Sequence, residues 1–146
     1  MNRPNQTVPS FVSVYLTANT AALTVDPILF NIVETDGSTK NIYDATTGQF
    51  QAPISGWYTL DAELYANLTE LYIVKNGDVN FPVKGVVPAG VLGMESIRMD
   101  VKLGLGETLA LYASGTVNAL TGGTPNARAS NATFKLFKRF DDTKIF

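Results

Sequence analysis

Apolar and polar residues alternate along parts of this 146-residue chain, and that period of two constrains its fold more than any other feature. Residues 96–103, SIRMDVKL, place every second side chain on an apolar face and the charged or polar side chains on the other. The stretch 57–65 does the same, with the apolar set Tyr58, Leu60, Ala62 and Leu64. Such alternation is typical of strands with one buried face, so the sequence predicts an all-β protein.

Turn-forming residues separate the apolar stretches at intervals of about 8–12 residues, which favours a sandwich or a barrel. The pairs Asn76-Gly77 and Asp36-Gly37 predict tight hairpins, because both residue types tolerate positive φ. The segment 116–131 is rich in small residues and predicts a loop. Further strands are expected at residues 11–17, 28–33, 71–74, 109–113 and 133–140.

Charged residues make up 16% of the chain, below the roughly 25% of a typical soluble protein. Two interpretations are open: part of the surface is buried against other subunits, or Thr, Asn, Ser and Gly supply an uncharged polar surface. The net charge of −2 gives no field that would attract nucleic acid or an anionic membrane, so neither is an expected partner. No run approaches 18 consecutive apolar residues, so no membrane insertion is expected.

The chain contains no cysteine and no histidine, which excludes disulfides, thiolate nucleophiles, Cys/His zinc sites and imidazole acid–base chemistry. The acidic pairs Asp141 with Asp142 and Asp61 with Glu63 lie in a tail or two residues apart on a strand, where the sequence shows nothing that would raise a pKa. Residues 103–108, LGLGET, lack the Gly-Lys-Ser/Thr of a phosphate-binding loop and predict a turn. We therefore expect a protein that is not an enzyme and binds no cofactor or metal.

A more specific pattern begins at Asn41 and ends at Tyr58. Its residues are Asn41, Tyr43-Asp44, Thr47-Gly48, Phe50, Pro53, Gly56 and Tyr58, and it is accompanied by Phe30, Lys75-Asn76-Gly77, Leu103 to Glu107, Phe134 and Phe137. Taken together, these residues resemble the complement C1q-like domain of the C1q and tumour necrosis factor superfamily, and the resemblance covers nearly the whole chain in order.

The chain departs from the family pattern in several places. Where the family has a Gly-Asp turn, this chain has Gly106-Glu107. Where the family has a second aromatic residue after its Gly-x-Tyr motif, this chain has Leu60, and the chain lacks the glycine of the family's last strand. A collagen-like stalk and the cysteine that animal members often carry in residues 48–53 are also missing. These changes leave the expected fold intact, but neither the animal ligands nor the calcium sites of the family transfer to this chain.

The resemblance implies a ten-stranded jelly-roll β-sandwich that assembles as a compact homotrimer. The predicted interface residues are Trp57, Tyr58, Phe11 and Phe137. Trp57 has two interpretations: it lies in a subunit interface, where tryptophan is enriched, or it covers the end of the sheet in a monomer. Asp61 and Glu63 either belong to a solvated face or meet at the threefold axis around a cation.

The expected organisation is an N-terminal arm at residues 1–10, a C1q-like domain at 11–140 and a C-terminal tail at 141–146. The start of the chain, MNRPNQTVPS, lacks the apolar core of a signal peptide, so synthesis in the cytoplasm is expected. The residues predicted to dock on a partner through the two terminal segments are Arg3, Pro4, Val8, Ile145 and Phe146.

A lone domain of this kind predicts a structural protein of a virion, from a bacteriophage or a bacterial source. The first hypothesis is a trimeric capsid decoration or cement protein on the head surface, in contact with the major capsid protein or another virion protein. Threefold symmetry motivates it, because a trimer suits the threefold positions of a capsid lattice. The alternative is a receptor-binding or adhesin head, such as a fibre or tail knob, that recognises host glycans or proteins.

Overall fold

In a computed structural model of the protein, the residues described are 11–17, 20–35, 42–118 and 130–139. Within them the chain forms ten β-strands, all paired in antiparallel fashion. The strands are β1 Phe11–Tyr15, β2 Thr20–Pro27, β3 Ile32–Thr35, β4 Tyr43–Asp44, β5 Gln49–Gln51, β6 Gly56–Lys75, β7 Lys84–Val86, β8 Gly93–Leu103, β9 Thr108–Asn118 and β10 Asn131–Arg139. The predicted all-β fold class is confirmed.

Strand β6 joins the two layers of the sandwich. Its first half lies between β8 and β10, with Gly56 opposite Leu103 and Ala66 opposite Gly93. Its second half lies between β9 and β7, and the register shifts between Leu68 and Glu70. The first layer therefore runs β3-β1-β10-β6-β8, and the second contains β4-β5-β9-β6-β7, with β2 also paired to β9.

Aromatic rings form a continuous row through the core between the layers. Tyr58 stacks on Phe134 with ring centroids 4.7 Å apart and planes within 6° of parallel. Phe134 contacts Phe50 at 5.4 Å, Phe50 contacts Tyr43 at 4.7 Å, and Tyr43 meets the edge of Phe30 at 6.4 Å. All five residues are buried and all belong to the pattern that suggested the family, so that pattern describes core packing.

The hydroxyl groups of the two buried tyrosines are both hydrogen-bonded. The Tyr58 hydroxyl donates to the carbonyl of Ile54 at 2.6 Å, and the Tyr43 hydroxyl accepts from the backbone N–H of Phe30 at 2.8 Å. Burial is the main cause that raises the pKa of each phenol to about 12. Each tyrosine is therefore held in two ways, by the packing of its ring in the core and by the hydrogen bond between its hydroxyl and the backbone.

Gly56 is required by a close approach between β6 and β10. The register of this pair shifts between Leu136 and Lys138, which leaves Phe137 as the extra residue of a bulge. A Cβ atom at position 56 would lie 2.5 Å from the carbonyl oxygen of Lys138 and 2.6 Å from Cδ1 of Leu136. The glycine of the Gly-x-Tyr pattern thus allows the last strand to pack against β6.

Several local predictions are confirmed. Residues 96–103 form part of β8, with Ile97 and Leu103 buried on the inward face, and the inward set predicted on β6 is fully buried. Asn76 and Gly77 have positive φ, and the N–H of Asp78 donates to the carbonyl of Lys75 to close the predicted turn.

Other local predictions need correction. Residues 57–65 and 71–74, predicted as two strands, belong to the single strand β6, because the chain passes between layers through a bulge instead of a loop. The strand predicted at 28–33 begins only at Ile32, and β2 precedes it. Residues 116–118 and 131, predicted as part of a loop, belong to strands instead, since β9 extends to Asn118 and β10 begins at Asn131. Asp36-Gly37 lies outside the described residues.

Candidate functional site

Residues 79–94, here called the apolar edge, expose an unusual amount of hydrophobic surface. The segment runs from the turn after β6, through β7, into the start of β8. Val87 is 94% exposed and Phe81 is 75% exposed, and Lys84 is the only charged residue in the segment. The other large exposed side chains of the apolar edge are Val79, Val83, Val91, Leu92 and Met94. A contiguous exposed segment of this composition is typical of an interaction surface.

A second exposed hydrophobic surface, here called the aromatic face, lies on the outward side of the first layer. Trp57 is 37% exposed on β6, opposite Lys102 of β8 and Lys138 of β10. Phe137 is 53% exposed at the bulge of β10, next to Lys138. Two of the four predicted interface residues therefore lie close together and are accessible to another molecule.

Tyr58 does not suit the interface role predicted for it. Its side chain is fully buried within a single protomer, where it stacks on Phe134, so it cannot contact a neighbouring subunit. The alternation of β6 places it inward, and Trp57, one position earlier, outward. The backbone of Phe11 begins β1 opposite Lys135, but the side chain of Phe11 is not among those that the structure describes.

The five residues predicted to dock on a partner lie outside the described residues. They are Arg3, Pro4, Val8, Ile145 and Phe146. Their predicted role stays a prediction.

The outward acidic residues of β6 belong to a polar part of the same face. Asp61 lies opposite Arg98 of β8, and the Thr59 hydroxyl donates to Oδ1 of Asp100 at 2.6 Å. Within residues 11–17, 20–35, 42–118 and 130–139, no group of three or more acidic, His or Cys side chains is placed to hold a metal ion. In a single protomer, Asp61 and Glu63 thus have the surroundings of a solvated polar face.

An open groove of about 580 Å³ lies on the second layer, at its β4-β5-β9 side. Phe50 points into the core, so its neighbours Gln49 and Gln51 point outward. Here the groove is called the polar groove. Its described lining is Tyr43, Asp44, Ala45, Gln49, Gln51 and Thr108.

Two carboxylates near the polar groove hold turns in place. Oδ1 of Asp44 accepts from the N–H and the hydroxyl of Thr46, and these bonds lower the pKa of Asp44. Glu107 accepts from the N–H of Gly104 at 2.7 Å and from the Asn76 amide at 3.0 Å, and these bonds lower its pKa. The Gly106-Glu107 departure from the family pattern therefore stabilises the β8–β9 turn.

Neither the apolar edge nor the polar groove was predicted as a site. A signal for the apolar edge was present, because residues 79–94 combine eight large apolar residues with a single charged residue. The polar groove had no such signal, since Asp44, Gln49 and Thr108 meet only through strand pairing. Nowhere in the described part of the chain does a helix of membrane-spanning length and hydrophobicity occur.

Comparison with known proteins identifies the fold. No protein-family model matches the chain, and no curated protein matches it in sequence. Solved structures do match. The globular domain of zebrafish complement 1qA is 18% identical, with a TM-score of 0.56, over 87% of this chain and 94% of that domain.

Two further structures come from the tumour necrosis factor side of the superfamily. Eiger TNF from S. frugiperda has a TM-score of 0.64 at 11% identity, over 95% of this chain and 99% of its own. GITRL from bushbaby has a TM-score of 0.61 at 10% identity, over 90% and 96%. The fold is therefore a C1q/TNF-like jelly roll, as the sequence pattern predicted.

Proposed function

We propose that the protein is a non-enzymatic homotrimer that serves as a structural component of a virion surface, as a capsid decoration protein. The observation that carries the proposal is the pair of exposed hydrophobic surfaces, the apolar edge and the aromatic face. Both belong to a chain with only 16% charged residues, and charge depletion is typical of interface cores.

The two surfaces differ, and that difference decides what kind of assembly they support. The apolar edge leads from β7 to β8, and among the described residues each of these strands pairs only with β6, so β7 lies at an edge of the second layer and β8 at an edge of the first. The aromatic face lies on the outside of the first layer. A contact between the edge of one protomer and the face of the next is heterologous, so it generates a closed ring when the rotation closes. The C1q/TNF-like fold favours a closed ring of three subunits.

A closed trimer supports the decoration role because threefold positions recur in capsid lattices. Each trimer would present the same residues three times to the surface beneath it, so weak contacts would add through multivalency. The predicted docking residues are Arg3, Pro4 and Val8 in the N-terminal segment and Ile145 and Phe146 in the C-terminal segment. The major capsid protein is the expected partner.

Sedimentation tests the trimer. The purified chain is expected to sediment as a trimer at micromolar concentration, and Val87→Asp is expected to dissociate it, because the new charge would be buried at the interface. Leu29→Asp is the matched control, since Leu29 is an exposed aliphatic residue outside both surfaces. A monomeric wild-type chain would contradict the assembly, and a trimeric Val87→Asp variant would contradict the role of the apolar edge.

Attachment to particles tests the decoration role separately. Capsids assembled without the protein are mixed with the full chain or with a chain lacking residues 1–10, and the bound fraction is measured by cosedimentation. Bound full-length trimer and unbound truncated trimer are expected. If the truncated trimer attaches equally well, residues 1–10 do not dock, and if neither form attaches, the decoration role is wrong.

A receptor-binding head is the second candidate, and the polar groove favours it. A trimer would carry three such grooves, and triple occupancy would strengthen weak individual contacts. Binding of the full-length trimer to host cells, without attachment to capsids, would select this function over the first.

A further inference from the structure

Strand register places the polar lining of the groove on one outward surface. Asp44 lies opposite Gln49 in the β4–β5 pair, and Gln51 lies opposite Thr108 in the β5–β9 pair. Gln49 and Gln51 are two residues apart on β5, so their side chains leave the sheet on the same side, roughly 6.5 Å apart along the strand. The arrangement presents two amides, one carboxylate and one hydroxyl to a single volume.

Part of this hydrogen-bonding capacity is unused within the protomer. The side-chain amide of Gln49 has no hydrogen-bond partner in the part of the chain that the structure describes. Gln51 uses Nε2 to donate to the carbonyl of Gly106 at 3.2 Å, which fixes the side chain and leaves Oε1 as an acceptor. A fixed acceptor beside an available amide provides both a donor and acceptors for a ligand.

The charge of the groove restricts the class of ligand. Asp44 is the only ionisable group of negative charge in its described lining, and that lining includes no cationic side chain. Anionic ligands such as phosphates and acidic sugars are therefore repelled. A single carboxylate already hydrogen-bonded to Thr46 does not make a metal site, and a lining dominated by polar groups does not suit an apolar molecule.

A pair of aromatic rings extends the same outward surface. Tyr112 follows Ala110 on β9 with the same orientation, and Ala110 lies directly opposite Gln49. Tyr112 pairs with Tyr72 of β6, with ring centroids 6.2 Å apart and planes within 6° of parallel. The C–H face of a sugar ring packs favourably on such aromatic surface, whereas its hydroxyls need amide and carboxylate partners.

The geometry points to a binding site for a neutral saccharide in the polar groove, held by Asp44, Gln49, Gln51 and Thr108 and continued by Tyr72 and Tyr112. The site is independent of the apolar edge and of the docking segments. It therefore adds a ligand to the protein whether or not the capsid role holds.

Saccharide binding is tested first with the full chain on an array of neutral, sialylated and sulfated glycans. Retention of neutral glycans is expected. If no glycan is retained, or only acidic glycans are, the inference is wrong.

A ¹⁵N-labelled full chain is then titrated with the retained glycan and with methyl glucoside, methyl galactoside and N-acetylglucosamine. Saturable shifts are expected at the side-chain amide resonances of Gln49 and Gln51. Gln49→Ala is expected to weaken binding about 5- to 10-fold, the effect of one lost hydrogen bond. This variant should keep the fold, because the side-chain amide of Gln49 makes no hydrogen bond to any residue that the structure describes.

Asn67→Ala is the matched control, since it removes an exposed amide at the other end of the β6–β9 pair. Its affinity should equal that of the wild-type chain. Equal affinity of the Gln49→Ala variant and the wild type would overturn the site. Particle attachment is measured on the same variants: loss of saccharide binding with unchanged attachment separates this inference from the proposed function.

Discussion

At the scale of single residues, Gly56 shows how one missing methyl group permits a strand contact. We predict that Gly56→Ala destabilises the protein by about 1–3 kcal/mol, the usual cost of overpacking, because the new Cβ would meet the backbone of Lys138 and the side chain of Leu136. Gly93→Ala is the matched control, since nothing lies within 4 Å of a Cβ there. Urea denaturation measures both variants, and equal midpoints would contradict the steric explanation.

The buried phenols of Tyr43 and Tyr58 lead to a prediction about the stability of the protein at alkaline pH. Burial raises their pKa from the ordinary value of 10 to about 12. Between these values the unfolded chain loses phenolic protons that the folded chain retains, so this contribution to stability is complete below pH 10 and is lost as the pH rises towards 12. NMR of ¹³C-labelled tyrosine is expected to show the rings of Tyr43 and Tyr58 titrating near pH 12.

The Tyr58→Phe variant isolates one of these contributions. It should reduce the loss of stability between pH 10 and 12, measured by urea denaturation, compared with the wild-type chain. Below pH 10 it should be less stable by about 1 kcal/mol, because the hydrogen bond to the carbonyl of Ile54 is lost. The same pH dependence in both proteins would mean that the Tyr58 phenol titrates normally.

At the scale of secondary structure, β6 is expected to be the most stable element. Residues 56–63 have hydrogen-bonded strands on both sides, whereas β8 pairs with β6 along one edge within the described residues. We therefore predict the slowest amide hydrogen exchange in residues 57–63, measured by NMR, and faster exchange at alternate amides of β8 in a monomeric variant such as Val87→Asp. Faster exchange in β6 than in β8 of that variant would contradict the prediction.

The same strand shows how far the sequence predicts structure. The alternation of residues 57–65 and 96–103 predicts strands, and both stretches lie in strands, because a half-buried strand requires alternation. Residues 67–70, Asn-Leu-Thr-Glu, resemble a break between strands, yet the chain continues through a bulge there because β9 pairs with both sides of it. The local sequence shows which face of a strand is buried, but it does not show which distant strand will pair with it.

The candidate sites also differ in how far the sequence predicts them. The aromatic residues of the family pattern could be found from sequence, since their type and spacing are set by the core. Of the predicted interface residues, Trp57 and Phe137 are exposed, whereas Tyr58 is in the core. The polar groove brings together residues separated by more than 50 positions, such as Gln51 and Thr108, so only the strand register reveals it.

At the scale of the whole molecule, the apolar edge and the aromatic face are the surfaces that the proposed trimer would bury. A protomer that exposes Phe81, Val87 and Phe137 while keeping few charged residues has a surface composition typical of a subunit, and in the proposed trimer another copy would cover both surfaces at once. The open edge of β8 would be covered in the same contact. The proposed assembly would thus bury the exposed hydrophobic surface and cover a strand edge that could otherwise pair with strands of other chains.

Trp57 provides a direct test of this assembly because it is the only tryptophan in the chain. Its indole is 37% exposed in the protomer and should become buried when the aromatic face meets a neighbouring apolar edge. We predict that the fluorescence emission of the wild-type protein shifts to longer wavelength on dilution, in step with dissociation measured by sedimentation. The Val87→Asp variant should emit at the longer wavelength at every concentration, with an unchanged circular dichroism spectrum that shows the fold is intact. If the wild type dissociates and its emission does not move, Trp57 lies outside the interface and covers the end of the sheet within one protomer.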